Sequence, residues 1–161
     1  MKLRQIDLAN RASEKERGVT LLEMIVVITI LLILMGAAVP IAKVSVRRQR
    51  EVELHRALWE MRTAIDRYKD AADRNAFQQK LGSEGYPPDM DTLVKGVEVA
   101  GGKKLRFLRK IPVDPMTGNT DWGLRSMQDD PQSDSWGGQN VFDVYTKSTG
   151  TALNGQKYKD W

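Results

Sequence analysis

The sequence predicts an α+β protein in which one long N-terminal helix packs on a small antiparallel sheet. The first half of that helix is apolar, since residues 24–39 contain no charged residue and Thr29 is the polar interruption. The second half repeats apolar residues at the spacing of one helix face. The remainder of the chain alternates turn-forming residues with short strand-like segments. These observations indicate a membrane half, an amphipathic half and a compact head.

The apolar segment, residues 19–40, is expected to form a transmembrane helix. Residues 19–39 would extend about 31 Å as a helix, which matches the hydrocarbon core of a bilayer. A buried core helix is a weaker alternative, because so small a domain could hardly enclose such a segment.

The leader, residues 1–18, is expected to be removed. It reads "MKLRQIDLANRASEKERG", a polar stretch with five Lys/Arg and three Asp/Glu. A secretory signal peptide would instead have an apolar core of about 7–15 residues followed by a small-residue cleavage site. Here the apolar run is longer, and a basic helical sequence follows Pro40.

Glu23 is a lone carboxylate near the start of the apolar run. Cleavage after Gly18 would create an ammonium group at Val19, and Glu23 would lie in the first helical turn, where the helix dipole favours a negative charge. A charge inside a bilayer costs at least ~2.5 kcal/mol, which pairing with the amino terminus of a neighbouring copy would offset. The alternative is that Glu23 only extends to the membrane interface.

The stretch "RGVTLLEMIVVITILLILMGAAVP" resembles the class III signal and first helix of type IV pilins and their relatives. The resemblance implies that a prepilin peptidase cuts after Gly18 and methylates Val19, and that Glu23 is required for assembly. The family usually has Phe after the cut, so Val19 is a departure.

Gly36 and Pro40 match the weak points of the helix in this family. Pro40 lacks an N–H group and its ring crowds the carbonyl of Gly36, so we expect the helix to kink or loosen there. The resemblance implies partial melting that lets subunits pack in a filament. The alternative is an ordinary proline kink in a membrane helix.

The helix is expected to run from Val19 to about Asn75. Its apolar stripe comprises Leu54, Leu58, Met61, Ile65, Tyr68 and Ala72. The charged residues on its other faces are Arg47, Arg48, Arg50, Glu51, Glu53, Glu60, Arg62, Asp66, Arg67 and Lys69. They indicate a solvated surface or, alternatively, ion pairs between subunits.

The head, residues 41–161, is expected to complete the fold. A short helix should begin near Asp89 or Asp91, after a turn at two prolines. Residues 99–123 look loop-rich, residues 122–128 and 140–148 look like strands, and residues 156–161 could form a short third strand.

The segment "FLRKIPVDPMTGNTDWG" resembles the loop of the G-type major pseudopilin of type II secretion, with its Leu/Ile-Pro-x-Asp-Pro motif. The absence of cysteine agrees, because type IV pilins proper usually close a C-terminal disulfide loop. The resemblance implies a single-pass protein of the bacterial inner membrane with a periplasmic head. Its expected partners are further copies in a helical filament, the prepilin peptidase, minor pseudopilins and the inner-membrane secretion platform.

This chain is expected to differ from G-type pseudopilins in calcium binding. G-type pseudopilins usually bind calcium with carboxylates in the C-terminal loop, where this chain has Thr149, Gln156 and Lys157. Calcium takes six to eight oxygen ligands, so a lysine there argues against the usual site. We therefore predict no metal and no cofactor. The alternative is a relocated site at Asp129, Asp130 and Asp134, although a solvated acidic loop is favoured.

Composition excludes several functions. The chain has no cysteine and one histidine, His55, which we expect to be an exposed or packed helical residue. The net charge is +4, and the positive excess is not concentrated in one segment of the sequence. Nucleic acid is therefore not an expected partner. No nucleophile motif or paired carboxylates indicate an enzyme. The remaining alternatives are a pilin for adhesion, motility or DNA uptake, and a single-span protein with a monomeric periplasmic binding domain.

Overall fold

A computed structural model describes residues 20–161, apart from the side chains of residues 37–42. Internal contacts divide the chain into two units, of which the first ends at Val44 and the second is Ser45–Trp161. The boundary lies within the first helix.

Helix α1 is Leu21–Asp73, which confirms one long helix through the apolar and amphipathic segments. Asn75, at φ 53°, ends it in the left-handed conformation. The N–H of Ala76 then donates to the Ala71 carbonyl at 3.0 Å, and the N–H of Asn75 to the Ala72 carbonyl at 2.9 Å. This is a Schellman ending, in which asparagine replaces the more usual glycine.

The predicted apolar stripe of α1 forms the core of the head. All six of its members are buried, together with alanines one turn away: Leu54, Leu58, Met61, Ile65, Tyr68, Ala72, Ala57, Ala64 and Ala71. They share one hydrophobic cluster with Leu93, Leu108, Val141 and Val144 from the rest of the head. Burial of this stripe therefore holds the second half of α1 against the rest of the head.

Helix α2 is Met90–Lys95, and it begins at one of the two predicted positions. Asp89 is its N-cap, because its Oδ1 accepts hydrogen bonds from the Thr92 N–H at 2.6 Å and the Thr92 hydroxyl at 2.8 Å. Met90 and Leu93 are its buried residues.

Two antiparallel hairpins supply the β-structure. Strands β3 (Gly123–Arg125) and β4 (Asp143–Tyr145) pair with Gly123 opposite Tyr145, which confirms both predicted strands at shorter length. Strands β1 (Val97–Val99) and β2 (Lys103–Leu105) form a second hairpin that the sequence analysis did not predict. The α+β class and the packing of α1 on a small antiparallel sheet are confirmed.

The predicted third strand, residues 156–161, is wrong. One bridge joins Thr151 to Lys157, after which Tyr158–Asp160 forms a 3₁₀ turn. Tyr158 and Trp161 both contact α1 through side-chain or backbone atoms. Residues three apart lie on opposite faces of a strand but on the same side of a 3₁₀ turn. The 3₁₀ turn therefore lets both residues reach the helix.

Candidate assembly segment and the contacts that hold the head

The start of α1 is capped by Thr20, a role that the sequence analysis missed. Its Oγ1 accepts a hydrogen bond from the backbone N–H of Glu23 at 3.2 Å, and its carbonyl accepts from Met24 at 3.1 Å. The four-residue pattern Thr-Leu-Leu-Glu is that of a capping box and could have revealed this. Glu23 lies in the first turn, as predicted, where the helix dipole favours its carboxylate.

The apolar side chains that follow Glu23 are exposed in the isolated chain. Ile33 is 68% exposed, and Val27, among the least accessible of them, is still 45% exposed. The hydroxyl of Thr29 donates to the Ile25 carbonyl at 2.7 Å, so the polar interruption is satisfied within the helix. The described residues of the chain therefore leave this apolar surface uncovered.

Among the described residues, no helical stretch combines the length and the apolarity needed to cross a membrane.

The remaining predicted assembly residues stand as follows. Gly18, Val19 and the side chain of Pro40 lie outside the described residues. Gly36 lies within α1, and a Cβ added there would meet no described atom within 4 Å. The described side chains of a single copy therefore give no steric reason for glycine at position 36, and its predicted role in assembly stays a prediction.

Arg62 connects α1 to the sheet and to Trp161. Its Nε donates to Asp143 Oδ1 at 2.7 Å, and its Nη2 donates to the carbonyls of Trp161 at 2.8 Å and Val144 at 3.2 Å. Arg125 also lies 3.5 Å from the Asp143 carboxylate. The expectation of a solvated charged surface is therefore wrong for Arg62, which is half-buried and holds the head.

Glu51 is a second charged residue of α1 that binds the head. Its Oε1 accepts hydrogen bonds from the Tyr158 hydroxyl and the Leu153 N–H, both at 2.9 Å. Arg47 donates to the same tyrosine oxygen at 3.1 Å. His55 stacks on Trp161 with ring centroids 4.0 Å apart, as a packed helical residue.

The Ile-Pro-Val-Asp-Pro loop is held by Asp114, whose side chain is fully buried. Its Oδ1 accepts the N–H of Met116 at 2.8 Å, and its Oδ2 accepts the hydroxyl of Thr146, just after β4. The indole N–H of Trp122 donates to the Pro112 carbonyl at 2.9 Å. Asp114 therefore links this loop to the residue after β4, and Pro112 links it to the residue before β3.

The carboxylates of the acidic loop already have partners. Asp129 accepts backbone N–H groups of Ser126 at 2.7 Å and Gly137 at 3.0 Å, and these hydrogen bonds lower its pKa. Asp130 accepts from Gln132 at 2.9 Å. The hydrogen bond and ion pair with Lys159, at 2.9 Å, lower the pKa of Asp134. No group of three or more metal-ligating side chains exists among the described residues.

The C-terminal loop does not fit calcium either. A cavity of about 410 Å³ lies there, and its lining includes Thr149 together with Lys147, Lys157 and Lys159. Three ammonium groups beside one carboxylate, Asp134, oppose a divalent cation. The Lys159–Asp134 ion pair joins the acidic loop to the C-terminal turn instead.

Residues 14–39 match the family described as the prokaryotic N-terminal methylation motif. The chain carries a prepilin-type methylation motif. The match includes Gly18, Val19, Glu23 and Gly36, and it supports a type IV pilin-like protein. Prepilin-motif proteins are structural subunits that a prepilin peptidase processes, not enzymes, and they assemble into filaments. No curated protein and no solved structure gives a significant match to the chain.

Proposed function

We propose that this chain is a pseudopilin, a structural subunit of a periplasmic pseudopilus that drives type II protein secretion. Before assembly, the subunit is a single-pass protein of the bacterial inner membrane with its head in the periplasm. After removal of residues 1–18, copies join a short helical filament through α1. Minor pseudopilins and the inner-membrane secretion platform are its further partners.

The observation that carries this proposal is the contrast between the two halves of α1. The prepilin motif, residues 14–39, includes residues 21–35, whose apolar side chains are exposed in the isolated chain. The second half of the same helix buries its apolar stripe in the head. The apolar half therefore needs a cover outside the chain: lipid before assembly and neighbouring helices afterwards.

Glu23 sets the axial position of each subunit relative to its neighbour in the filament. Its carboxylate is exposed, so it is available to the Val19 ammonium of an adjacent copy. Such a pair would be formed away from water, where an unpaired charge is costly. Thr20 supports this role because its Oγ1 accepts the N–H of Glu23, which fixes the backbone of Glu23 in the first turn of the helix.

The type II secretion role is supported by the loop around Asp114. The buried Asp114 and the Trp122–Pro112 hydrogen bond give the motif of residues 111–115 a structural task in this head. The resemblance to the G-type subfamily therefore lies in residues that build the fold. The absence of cysteine weighs against a pilin closed by a disulfide.

Deletion of the gene in its native host tests the proposal. Secreted enzymes should accumulate in the periplasm, and expression of the intact chain should restore export. Normal export with loss of surface pili, motility or DNA uptake would instead indicate the pilin alternative. A protein that yields no cross-linked oligomers in membranes would indicate the monomeric single-span alternative.

A further inference from the structure

Residues 103–110 give the head a cationic surface, here called the basic strip. Its cations are Lys103, Lys104, Arg106, Arg109 and Lys110, and all five are exposed. None of them has an acidic partner within 4.0 Å among the ion pairs of the described residues. The expectation that the positive charge forms no patch is therefore wrong here.

The rest of the chain is negative by comparison. Residues 99–113 contain these five cations and no Asp or Glu. Without the strip, residues 19–161 hold 15 Lys/Arg and 18 Asp/Glu, a formal charge of −3. An identical copy can thus offer the strip a surface of opposite charge.

The acidic loop, residues 126–139, is the part of the head that best complements the strip. It contains three Asp and no Lys or Arg. Asp134 is paired with Lys159, whereas Asp129 and Asp130 accept backbone N–H groups and form none of the ion pairs within 4.0 Å among the described residues. Hydrogen bonds from Gly137 and Ser126 lower the pKa of Asp129, so it stays ionised at neutral pH. Two carboxylates in this loop therefore lack a cationic partner.

The strip and the acidic loop lie on opposite flanks of α1. On one flank of α1, a groove of about 220 Å³ is lined by Glu60 and Arg67 of the helix and by Phe107 and Arg109. On the other flank, Arg62 binds Asp143. Successive helical residues are rotated by about 100°, so Arg62 and Arg67 are separated by about 140° around the helix.

The acidic loop is held on the Arg62 side. Arg125 Nε donates to the Ser133 carbonyl at 3.1 Å, and the same arginine lies 3.5 Å from Asp143. Lys159 holds Asp134, and the neighbouring Tyr158 binds Glu51 of α1. One copy therefore keeps its two charged surfaces apart, whereas adjacent copies can bring them together.

We infer that the basic strip of one copy docks on the acidic loop of a second copy. This inference rests on the proposed function, because it names the head surfaces that meet in the filament. The two surfaces differ, so the contact is heterologous and can continue from copy to copy as a helical filament. Trp59, which is 69% exposed beside the strip, adds apolar area of the kind enriched in interfaces.

Cysteine cross-linking of the full chain in its host tests this contact directly. The chain has no cysteine, so two differently tagged copies can carry Lys104→Cys and Asp130→Cys, respectively. Disulfide formation between the two tags should exceed that of a Lys80→Cys and Asp130→Cys control by about fivefold. The control has an exposed lysine outside the strip. Equal yields for the two pairs would overturn the inference.

Charge reversal provides a second readout. Each exposed ion pair changes an equilibrium constant by roughly 1.5- to 5-fold, so Lys104→Glu/Lys110→Glu should lower filament yield by about tenfold. Adding Asp130→Lys and Gln132→Lys in the same chain should recover much of that yield, and Lys80→Glu should change little. Unchanged yield in the strip variant, or no recovery, would overturn the inference.

Two outcomes separate this inference from the proposed function. Normal wild-type filaments without the Lys104–Asp130 cross-link would reject the contact and leave the pseudopilin proposal standing. An intact chain that forms no filaments would reject the proposed function itself. Normal filaments from the strip variant, with lost binding to anionic phosphatidylglycerol vesicles or to duplex DNA, would assign the strip to lipid or nucleic acid and overturn the inference.

Discussion

Arg62 of α1 donates from Nε to Asp143 of β4 at 2.7 Å, and the same guanidinium binds the Trp161 carbonyl at 2.8 Å. One side chain thus joins the helix, the sheet and the C-terminal turn. Replacing Arg62 by Met keeps much of the apolar stem and removes every one of these hydrogen bonds. We expect the free energy of unfolding of the head to fall by about 1–3 kcal/mol.

Urea denaturation of the head domain checks this prediction. Arg125 remains 3.5 Å from Asp143 and should limit the loss. Arg67→Met, at an exposed position of the same helix, is the matched control and should change the midpoint little. Equal stability of the Arg62 and Arg67 variants would show that the Arg62 contacts contribute nothing.

Deletion of residues 1–43 should yield a soluble, folded monomer. The buried stripe of α1 and its partners, among them Leu93 and Val144, all lie in the unit Ser45–Trp161. The removed residues include the exposed apolar segment, which should otherwise cause association. Sedimentation and thermal unfolding by circular dichroism check this prediction. Aggregation, or a melt without cooperativity, would mean that the head cannot close its core alone.

Calcium should have little effect on the isolated head. Lys157 and Lys159 line the cavity of the C-terminal loop, and Asp134 is already paired with Lys159 at 2.9 Å. A ligand at 100 times its Kd would stabilise the head by about 2.7 kcal/mol, a shift of several degrees in Tm. We expect no such shift between chelator and millimolar calcium. A rise of several degrees would show that oxygens near Asp129 and Asp130 bind the ion.

The mature chain should begin at Val19. Intact mass of the protein from membranes of its host should lack residues 1–18 and should include one added methyl group. The prepilin motif across residues 14–39 supports this outcome. Gly18→Ala, expressed beside the wild type, should retain the leader if the peptidase requires glycine. A wild-type chain that keeps its leader in a host with prepilin peptidase would contradict the prediction.

The long-range packing of α1 was predictable because a helical stripe depends only on spacing. Leu54, Leu58 and Met61 recur at the required intervals, and all are buried. The α2 start was predictable for a local reason, since Asp89 supplies a side-chain cap. Such features need no knowledge of distant residues.

The first hairpin was missed because its glycines were interpreted only as breakers. Gly101 and Gly102 have φ values of 91° and 71°, and with Ala100 they form the loop that joins β1 to β2. Glycine favours this conformation because it has no Cβ. The same two residues thus end one strand and allow the next.

The head-holding charges could not be predicted from spacing. Arg62 and Glu51 look like other charged residues on the polar faces of α1, and their partners are Asp143 and Tyr158, far along the chain. Which charges are solvated and which bind the head depends on where the C-terminal turn docks. At the candidate assembly segment, Glu23 was predicted from its isolation among apolar residues, whereas its cap, Thr20, went unnoticed.

Filament assembly should depend on pairing between Glu23 and the Val19 ammonium of a neighbouring subunit. Glu23→Ala should leave membrane insertion and cleavage after Gly18 intact, because insertion disfavours a charge and the peptidase depends mainly on the glycine. Assembly should fail, since an unpaired buried charge costs about 3–5 kcal/mol. Glu23→Gln should fail nearly as badly, and Thr20→Ala, which removes the cap and keeps the carboxylate, should still assemble.

The measurement is the yield of sheared or cross-linked filaments from cells that make each variant, beside an assay of leader removal. We expect cleaved Glu23→Ala protein in the membrane and no filaments from it. Normal filaments from the cleaved Glu23→Ala variant would contradict the pairing of Glu23 with the Val19 ammonium.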